Sequence, residues 1–255
     1  MNDIPSSETL RDKWALVTGA GSRLGQAIAI ALGAQGMHVG VHYHTNHAGA
    51  LETARRIELG GGRSILCQAD LSSRKEARRL VDTANQSLGG IDLLVLSAAN
   101  FEAAAFESID DATWDRSLNL NLASPFAMAQ SAAPLLRLRR GNIVFITCSS
   151  VVSPFRRHLA YVVAKAGLYQ LMRALALELA PEVRVNAVAP GMVLPPADMD
   201  PLDIDRLARQ LPLRTVGNPE DVARAVLFLA SSNFVTGEQI VVDGGRSLAR
   251  AAGTT

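Results

Sequence analysis

Residues 18–25 read Thr18-Gly19-Ala20-Gly21-Ser22-Arg23-Leu24-Gly25, between a short apolar run, Trp14–Thr18, and an amphipathic stretch, Leu24–Gln35. Gly19, Gly21 and Gly25 in a strand-to-helix turn let the backbone come close to a bound group. N–H groups at the start of the helix, from Ser22 onward, then attract negative charge, above all a phosphate. A glycine triplet by itself is an ordinary turn. One that follows the first strand of a strand–helix–strand unit predicts a pyrophosphate site.

Outward from that turn, apolar runs of strand length alternate with longer amphipathic stretches. The predicted strands are Trp14–Thr18, His38–Tyr43, Ser64–Gln68, Asp92–Leu96, Asn142–Thr147, Arg184–Val188 and Gln239–Val242. The predicted helices are Leu24–Gln35, Ala48–Leu59, Arg74–Leu88, Asp110–Leu138, Leu159–Leu179 and Pro219–Ala230. This alternation predicts an α/β fold: a single Rossmann domain, its doubly wound seven-stranded parallel sheet covered by helices on both faces. Ser72 or Ser73 is placed to cap the third helix, Gly89-Gly90 to end it, and Pro219 to open the last. Residues 1–12 read as a polar tail and residues 13–250 as the domain. Within it, Met192–Leu213 carries four prolines and reads as a loop with a short helix, a candidate substrate lid.

The chain has 255 residues, 48% apolar and 19% charged, with a formal net charge of +1. That length suits one domain. The absence of a dense basic block argues against a nucleic-acid or membrane surface. Met1–Arg11 lacks the apolar stretch of a signal peptide, and no run is long and apolar enough to span a membrane. Cys67 and Cys148 lack metal-ligand spacing and read as reduced thiols, so a cytoplasmic protein without a metal is expected.

About 20 residues beyond the glycine turn, an NAD-binding unit places a carboxylate against the ribose hydroxyls. Here the chain reads His42-Tyr43-His44-Thr45-Asn46, with no acid. Arg23 can grip a 2′-phosphate through paired charge-assisted hydrogen bonds, and His42 or His44 can add to it when protonated. The pattern favours NADPH (or NADP+) over the NAD pair. Asp70-Leu71 is placed to meet the adenine, and Ser97-Ala98-Ala99 leaves room for a ribose.

Tyr161-Val162-Val163-Ala164-Lys165 opens a predicted helix, so Tyr161 and Lys165 share one face, a turn apart. A free phenol has a pKa of about 10, and an ammonium beside it together with the oxidised nicotinamide is expected to lower that value for proton exchange. Asn121 lies four residues before Pro125 in the long predicted helix. Proline has no N–H for the carbonyl four back, so that carbonyl is left to hold a water leading from Lys165 to solvent.

Together these stretches resemble the short-chain dehydrogenase/reductase family from Lys13 to about Leu248. The resemblance rests on Thr18–Gly25, Asp70-Leu71, Asn121, Tyr161–Lys165, Arg184-Val185-Asn186 with Pro190-Gly191, and Val235-Thr236-Gly237 with Asp243-Gly244-Gly245. It implies an NADP(H)-dependent oxidoreductase that transfers hydride to a carbonyl or imine of a small molecule. It further implies Tyr161 as the acid, Pro190 and Gly191 among the cofactor contacts, and a homotetramer. Within the family the chain is most similar to the pteridine and dihydromonapterin reductases. That similarity lies in Ser22-Arg23-Leu24-Gly25, His42-Tyr43-His44, Phe101, Asn121 to Pro125, and Pro190-Gly191-Met192-Val193-Leu194. In pteridine reductases the aromatic matching Phe101 stacks on the pterin, so Phe101, Tyr161 and Met192 are the expected substrate contacts.

The chain departs from the family thirteen residues before the tyrosine, where most relatives have serine and pterin reducers often have aspartate. Cys148 stands there, followed by Ser149 and Ser150. A thiol is a weak donor and does not replace an acid that protonates a ring nitrogen. Ser149, one residue along the strand end, is expected to point elsewhere. Leu96-Ser97 replaces the usual asparagine pair, and the threonine that often follows Pro190-Gly191 is missing. Four functions stay open: a pteridine-reductase-like enzyme, a 3-oxoacyl-thioester reductase, a general short-chain ketone or alcohol dehydrogenase, and a catalytically silent NADPH-binding sensor.

Overall fold

The four- and five-residue runs Leu93–Leu96 and Asn142–Ile146 are buried from end to end, as strands covered on both faces must be. In the computed structural model, residues 9–195 and 199–251 are described. Most of the predicted tail and residues 196–198 of the predicted lid lie outside the described residues. The strands are β1 (Trp14–Val17), β2 (His38–Tyr43), β3 (Ser64–Gln68), β4 (Leu93–Leu96), β5 (Asn142–Ile146), β6 (Arg184–Pro190) and β7 (Gln239–Val242). They form one parallel sheet in the order β3-β2-β1-β4-β5-β6-β7. The order reverses between β1 and β4, which leaves a crevice at the carboxyl ends of those strands, where an open α/β sheet takes its ligand.

Nine described helices flank the sheet: α1 (Arg23–Ala34), α2 (His47–Leu59), α3 (Arg74–Leu88), α4 (Asp111–Leu118), α5 (Ser124–Arg139), α6 (Leu159–Glu178), α7 (Pro201–Arg209), α8 (Pro219–Ser231) and α9 (Arg246–Ala251). Strand alternation divides the core. Leu94, Ile143 and Phe145 face Met128, Leu168 and Met172 of α5 and α6, whereas Val95 and Val144 face Ile28, Leu32, Val226 and Leu229 of α1 and α8. Among the described residues no helix is long and apolar enough to cross a membrane.

Local signals account for the helix ends. Ser73, rather than Ser72, caps α3 by accepting from the Glu76 N–H, and Gly89 ends it in the left-handed region. Asn218 and Asp221 form a reciprocal capping box around Pro219. The predicted helix Asp110–Leu138 is interrupted. Residues Asn119–Ala123 form a π turn, in which the Ser124 N–H bonds the Asn119 carbonyl. Pro125 explains the break, since it has no N–H to continue the α-helical ladder. The short helix expected in the lid is α7, while α9 is too short for its periodicity to announce it.

His42, expected as a partner of a 2′-phosphate, serves the fold instead. Its Nδ1 accepts from the Gly19 N–H at 3.0 Å, and its Nε2 lies 3.2 Å from the Ala69 carbonyl. A carbonyl only accepts, so Nε2 carries the proton and Nδ1 does not. Burial pulls the pKa of His42 from 6.5 to about 4, which leaves the ring neutral and unable to add positive charge. Between those two values the unfolded chain takes up a proton that the folded chain refuses. Stability contributed by His42 is therefore present above pH 6.5 and lost as pH falls toward 4, by about 3 kcal/mol. Urea unfolding from pH 7 to pH 4 should show a steeper loss in the wild type than in His42→Gln; parallel losses would contradict this neutral buttress.

Candidate active site

The carboxyl ends of the strands open on a cavity of about 950 Å³. The glycine turn, the ends of β2 and β3, Ser97–Phe101, Cys148, Tyr161, Lys165 and Pro190–Pro195 all line it. Every predicted site residue is in this wall except Asn121, which is buried behind it.

At one end the backbone comes close because side chains are absent. Gly19 has φ 68°, and a Cβ on it would sit 3.1 Å from Ala98 Cα. Ser22 precedes α1 without a side-chain cap, leaving the first N–H groups of that helix for a ligand. Size, glycine cradle and helix end together fit the pyrophosphate of a dinucleotide. Tyr43, His44, Thr45 and Asn46 line the cavity at the end of β2, and Asp70 lies 4.0 Å from His44. Arg23 occupies the left-handed region at φ 51°, and its Nη2 donates to the Leu194 carbonyl at 3.0 Å. The guanidinium expected to grip a 2′-phosphate thus reaches to the segment after β6. The reason is its place at the first residue of α1, across from that segment.

Tyr161 and Lys165 lie near the start of α6, as expected, but their electrostatics differ from expectation. Lys165 is 2% exposed; its Nζ donates to the Ile146 carbonyl at 2.8 Å and lies 5.6 Å from the Tyr161 ring centre. Burial lowers its pKa to about 8. Burial also raises the Tyr161 phenol well above its usual 10, and Cys148 beside it adds to that rise. In the chain alone, desolvation of the phenolate outweighs an ammonium turned toward a backbone carbonyl. The chain alone keeps Tyr161 protonated.

Asn121 uses its side chain as well as its place at the π turn. Its Nδ2 donates to Asn100 Oδ1 at 2.5 Å and to Ser117 Oγ at 3.3 Å, which fixes the segment after β4. Its buried Oδ1 has no partner among the described residues. Both cysteines are free thiols. Cys67 is buried and its pKa is pushed up to about 11, so it is inert. Cys148 Sγ accepts from the Ser150 N–H at 3.4 Å and opens a 3₁₀ turn over Ser149–Val151. That turn ends the strand alternation, so Ser149, expected to point away, also lines the cavity.

Phe101 is 57% exposed and belongs to an aromatic group that the sequence does not announce. His158 stacks on it with ring centres 3.9 Å apart, Tyr161 meets it edge-on at 4.8 Å, and Phe155 lies 5.9 Å away. One face of Phe101 is therefore taken by a side chain, not left for a flat substrate. Arg116 and Arg246 are further cavity residues missed by sequence reasoning. Arg246 directly follows the glycine pair Gly244-Gly245, a turn signal that marks it in hindsight.

The fold and this cavity define a dinucleotide-binding oxidoreductase, and comparison with known proteins agrees. A family described as enoyl-(acyl carrier protein) reductase matches residues 19–247. The chain belongs to the short-chain dehydrogenase/reductase family. It is 37% identical to 3beta-hydroxysteroid dehydrogenase 1 of Eggerthella lenta over 250 residues, covering 94% of this chain and 96% of the relative. With Glucose 1-dehydrogenase 2 of Bacillus subtilis the identity is 33%, at the same coverage. A blue fluorescent protein from a metagenomic library, solved in complex with NADPH, superposes with a TM-score of 0.86 at 29% identity, covering 94% of this chain and 99% of that one.

Lys165 gives up its ammonium as pH rises through about 8, whereas Tyr161 keeps its proton there. Reductive kcat/KM should therefore fall above that pH, and in Lys165→Arg, which stays charged, the fall should move upward. A pH profile that is the same for both proteins would contradict this assignment.

Proposed function

We propose that the protein is an NADPH-dependent reductase of small carbonyl compounds. The observation that carries this reading is the half-buried Tyr161 phenol in the wall of the cavity whose other end is the glycine turn, with Lys165 one turn along α6. When bound, the reduced nicotinamide supplies a hydride. Tyr161 gives its hydroxyl proton to the carbonyl oxygen. Lys165 holds a positive charge beside the phenolate left behind, and Asn121 keeps Asn100 and the cofactor-side segment in place. Cys148 stands where a substrate oxygen is steadied, with a weaker donor than a hydroxyl. Intact Asn121, Tyr161 and Lys165 speak against a silent sensor.

The coenzyme preference is supported by the acid-free end of β2 and by the NADPH held by the blue fluorescent relative. Phe101 in the cavity wall favours a second reading, reduction of a pterin. A thiol at position 148 weighs against it, as it does not against a simple ketone or a 3-oxoacyl thioester. Residues 192–213 are proposed as the lid, with Met192 and Met199 in the cavity wall. A cytoplasmic homotetramer completes the proposal; exposed Phe228, Phe234 and Val241 give the α8–β7 side apolar surface for self-association.

Oxidation of NADPH should be seen with at least one member of a panel of activated ketones, 3-oxoacyl thioesters and dihydropterins. No turnover by protein that binds NADPH would overturn the reading. In His44→Asp, a carboxylate facing the 2′-phosphate should shift the NADPH-to-NADH ratio of kcat/KM by about tenfold or more toward NADH. An unmoved ratio would remove the coenzyme argument.

A further inference from the structure

We propose that Phe155 is a specificity-determining residue, and that the cavity takes a ketone whose carbonyl is bonded to a flat, two-ring aromatic group. This rests on the reductase reading and names the substrate class of the same cavity.

Two segments from different parts of the chain are tied into one wall. Phe101 and Glu102 belong to the stretch after β4; Phe155 and His158 lie between the 3₁₀ turn and α6. The Ala104 N–H donates to the Arg157 carbonyl at 2.7 Å, and His158 Nδ1 lies 3.0 Å from the Glu102 carbonyl. A carbonyl only accepts, so that ring nitrogen carries the proton. His158 stacks on Phe101 and meets Phe155 edge-on, with ring centres 5.5 Å apart. The Arg246 guanidinium carbon lies over the Phe155 ring, 5.9 Å from its centre. Phe155 is thus held by His158 and Arg246 before a substrate arrives, which leaves little ordering to be done on binding.

The wall begins at the proposed acid. Ring centres of Phe101 and Tyr161 are 4.8 Å apart, and those of Phe155 and Phe101 are 5.9 Å apart. Tyr161, Phe101 and Phe155 follow one another along it. A substrate whose oxygen meets the Tyr161 hydroxyl therefore lays the ring next to its carbonyl against Phe101, and a second ring reaches Phe155.

The surface chemistry of the wall suits such a group. Phe101 is 57% exposed and Phe155 is half-buried, and both line the cavity. Any flat apolar group displaces water from them favourably, and an aromatic one adds a ring–ring attraction that a saturated one lacks. Met192 and Met199 bring two thioethers to the same cavity, and thioether sulfur also favours aromatic neighbours. The one carboxylate among the described lining residues, Asp70, lies beside His44 after β3. In the reaction the carbonyl carbon takes a hydride from NADPH, its oxygen takes the Tyr161 proton, and the aromatic group passes through unchanged.

The test compares 2-acetylnaphthalene with its saturated counterpart, decahydronaphthyl methyl ketone, so that size is held and aromaticity varied. Their difference in intrinsic reactivity cancels when the aryl-to-saturated ratio of kcat/KM is compared between wild type and variant. In Phe155→Leu that ratio should fall about threefold or more, and in Phe155→Trp it should be kept or raised. A ratio unmoved by Phe155→Leu overturns the proposal, as does a wild type that reduces the saturated ketone alone. If neither ketone is reduced, calorimetric titration of the corresponding naphthyl alcohol into the protein with NADP+ decides separately. Binding that weakens about threefold or more in Phe155→Leu keeps the aromatic site while the reductase reading falls; equal binding, or none, overturns the aromatic site. NADP+ affinity in the same titrations shows that the variant is folded, and Phe155→Ile replaces Phe155→Leu if it is not.

Discussion

A parallel sheet covered on both faces leaves one place for chemistry, the edge where its strands end. Seven strands running the same way bring the turns after β1, β2, β3, β4, β5 and β6 to that edge together. Short stretches far apart in sequence, from position 19 to position 246, therefore share one cavity. Apart from their last residues, such as Tyr43, Ile146 and Pro190, the strands give that cavity only position. Their task is to hold the turns still, and their apolar content follows from it.

Desolvation then decides which groups in the cavity carry charge. It is the leading cause of the shift at His42, at Lys165 and at Tyr161. Each is pushed toward its neutral form, with different consequences. His42 becomes a neutral buttress for Gly19. Lys165 stays mostly charged at neutral pH, though only by about one unit. Tyr161 is kept as a phenol, the form in which a reduction has to begin. Cys148 next to it deepens that preference.

Much of this was legible in the sequence, because periodicity and turn chemistry are local. The seven strands, a cap at Ser72 or Ser73, Pro219 at the start of the last predicted helix, and the glycine turn are all set by residues within a few positions of one another. What the sequence did not disclose depends on contacts between distant segments. Phe101 reads as a stacking platform until His158, 57 residues on, is found covering one face. Arg23 reads as a 2′-phosphate ligand, and only the fold shows that it also reaches the Leu194 carbonyl. The Tyr161–Lys165 spacing is right, yet spacing carries no information about where an ammonium points or how dry its surroundings are. Arg246 is invisible for the same reason: only the turn at Gly244-Gly245 brings it to the cavity.

The central claim is that the Tyr161 hydroxyl delivers the proton. Replacing it by phenylalanine keeps the ring against Phe101 and removes only the oxygen. Single-turnover reduction of an activated ketone by Tyr161→Phe, with NADPH affinity measured alongside, tests this most directly. A loss of about 10²-fold or more in the rate, with NADPH still bound, is expected. An undiminished rate with NADPH still bound would mean that the proton comes from elsewhere.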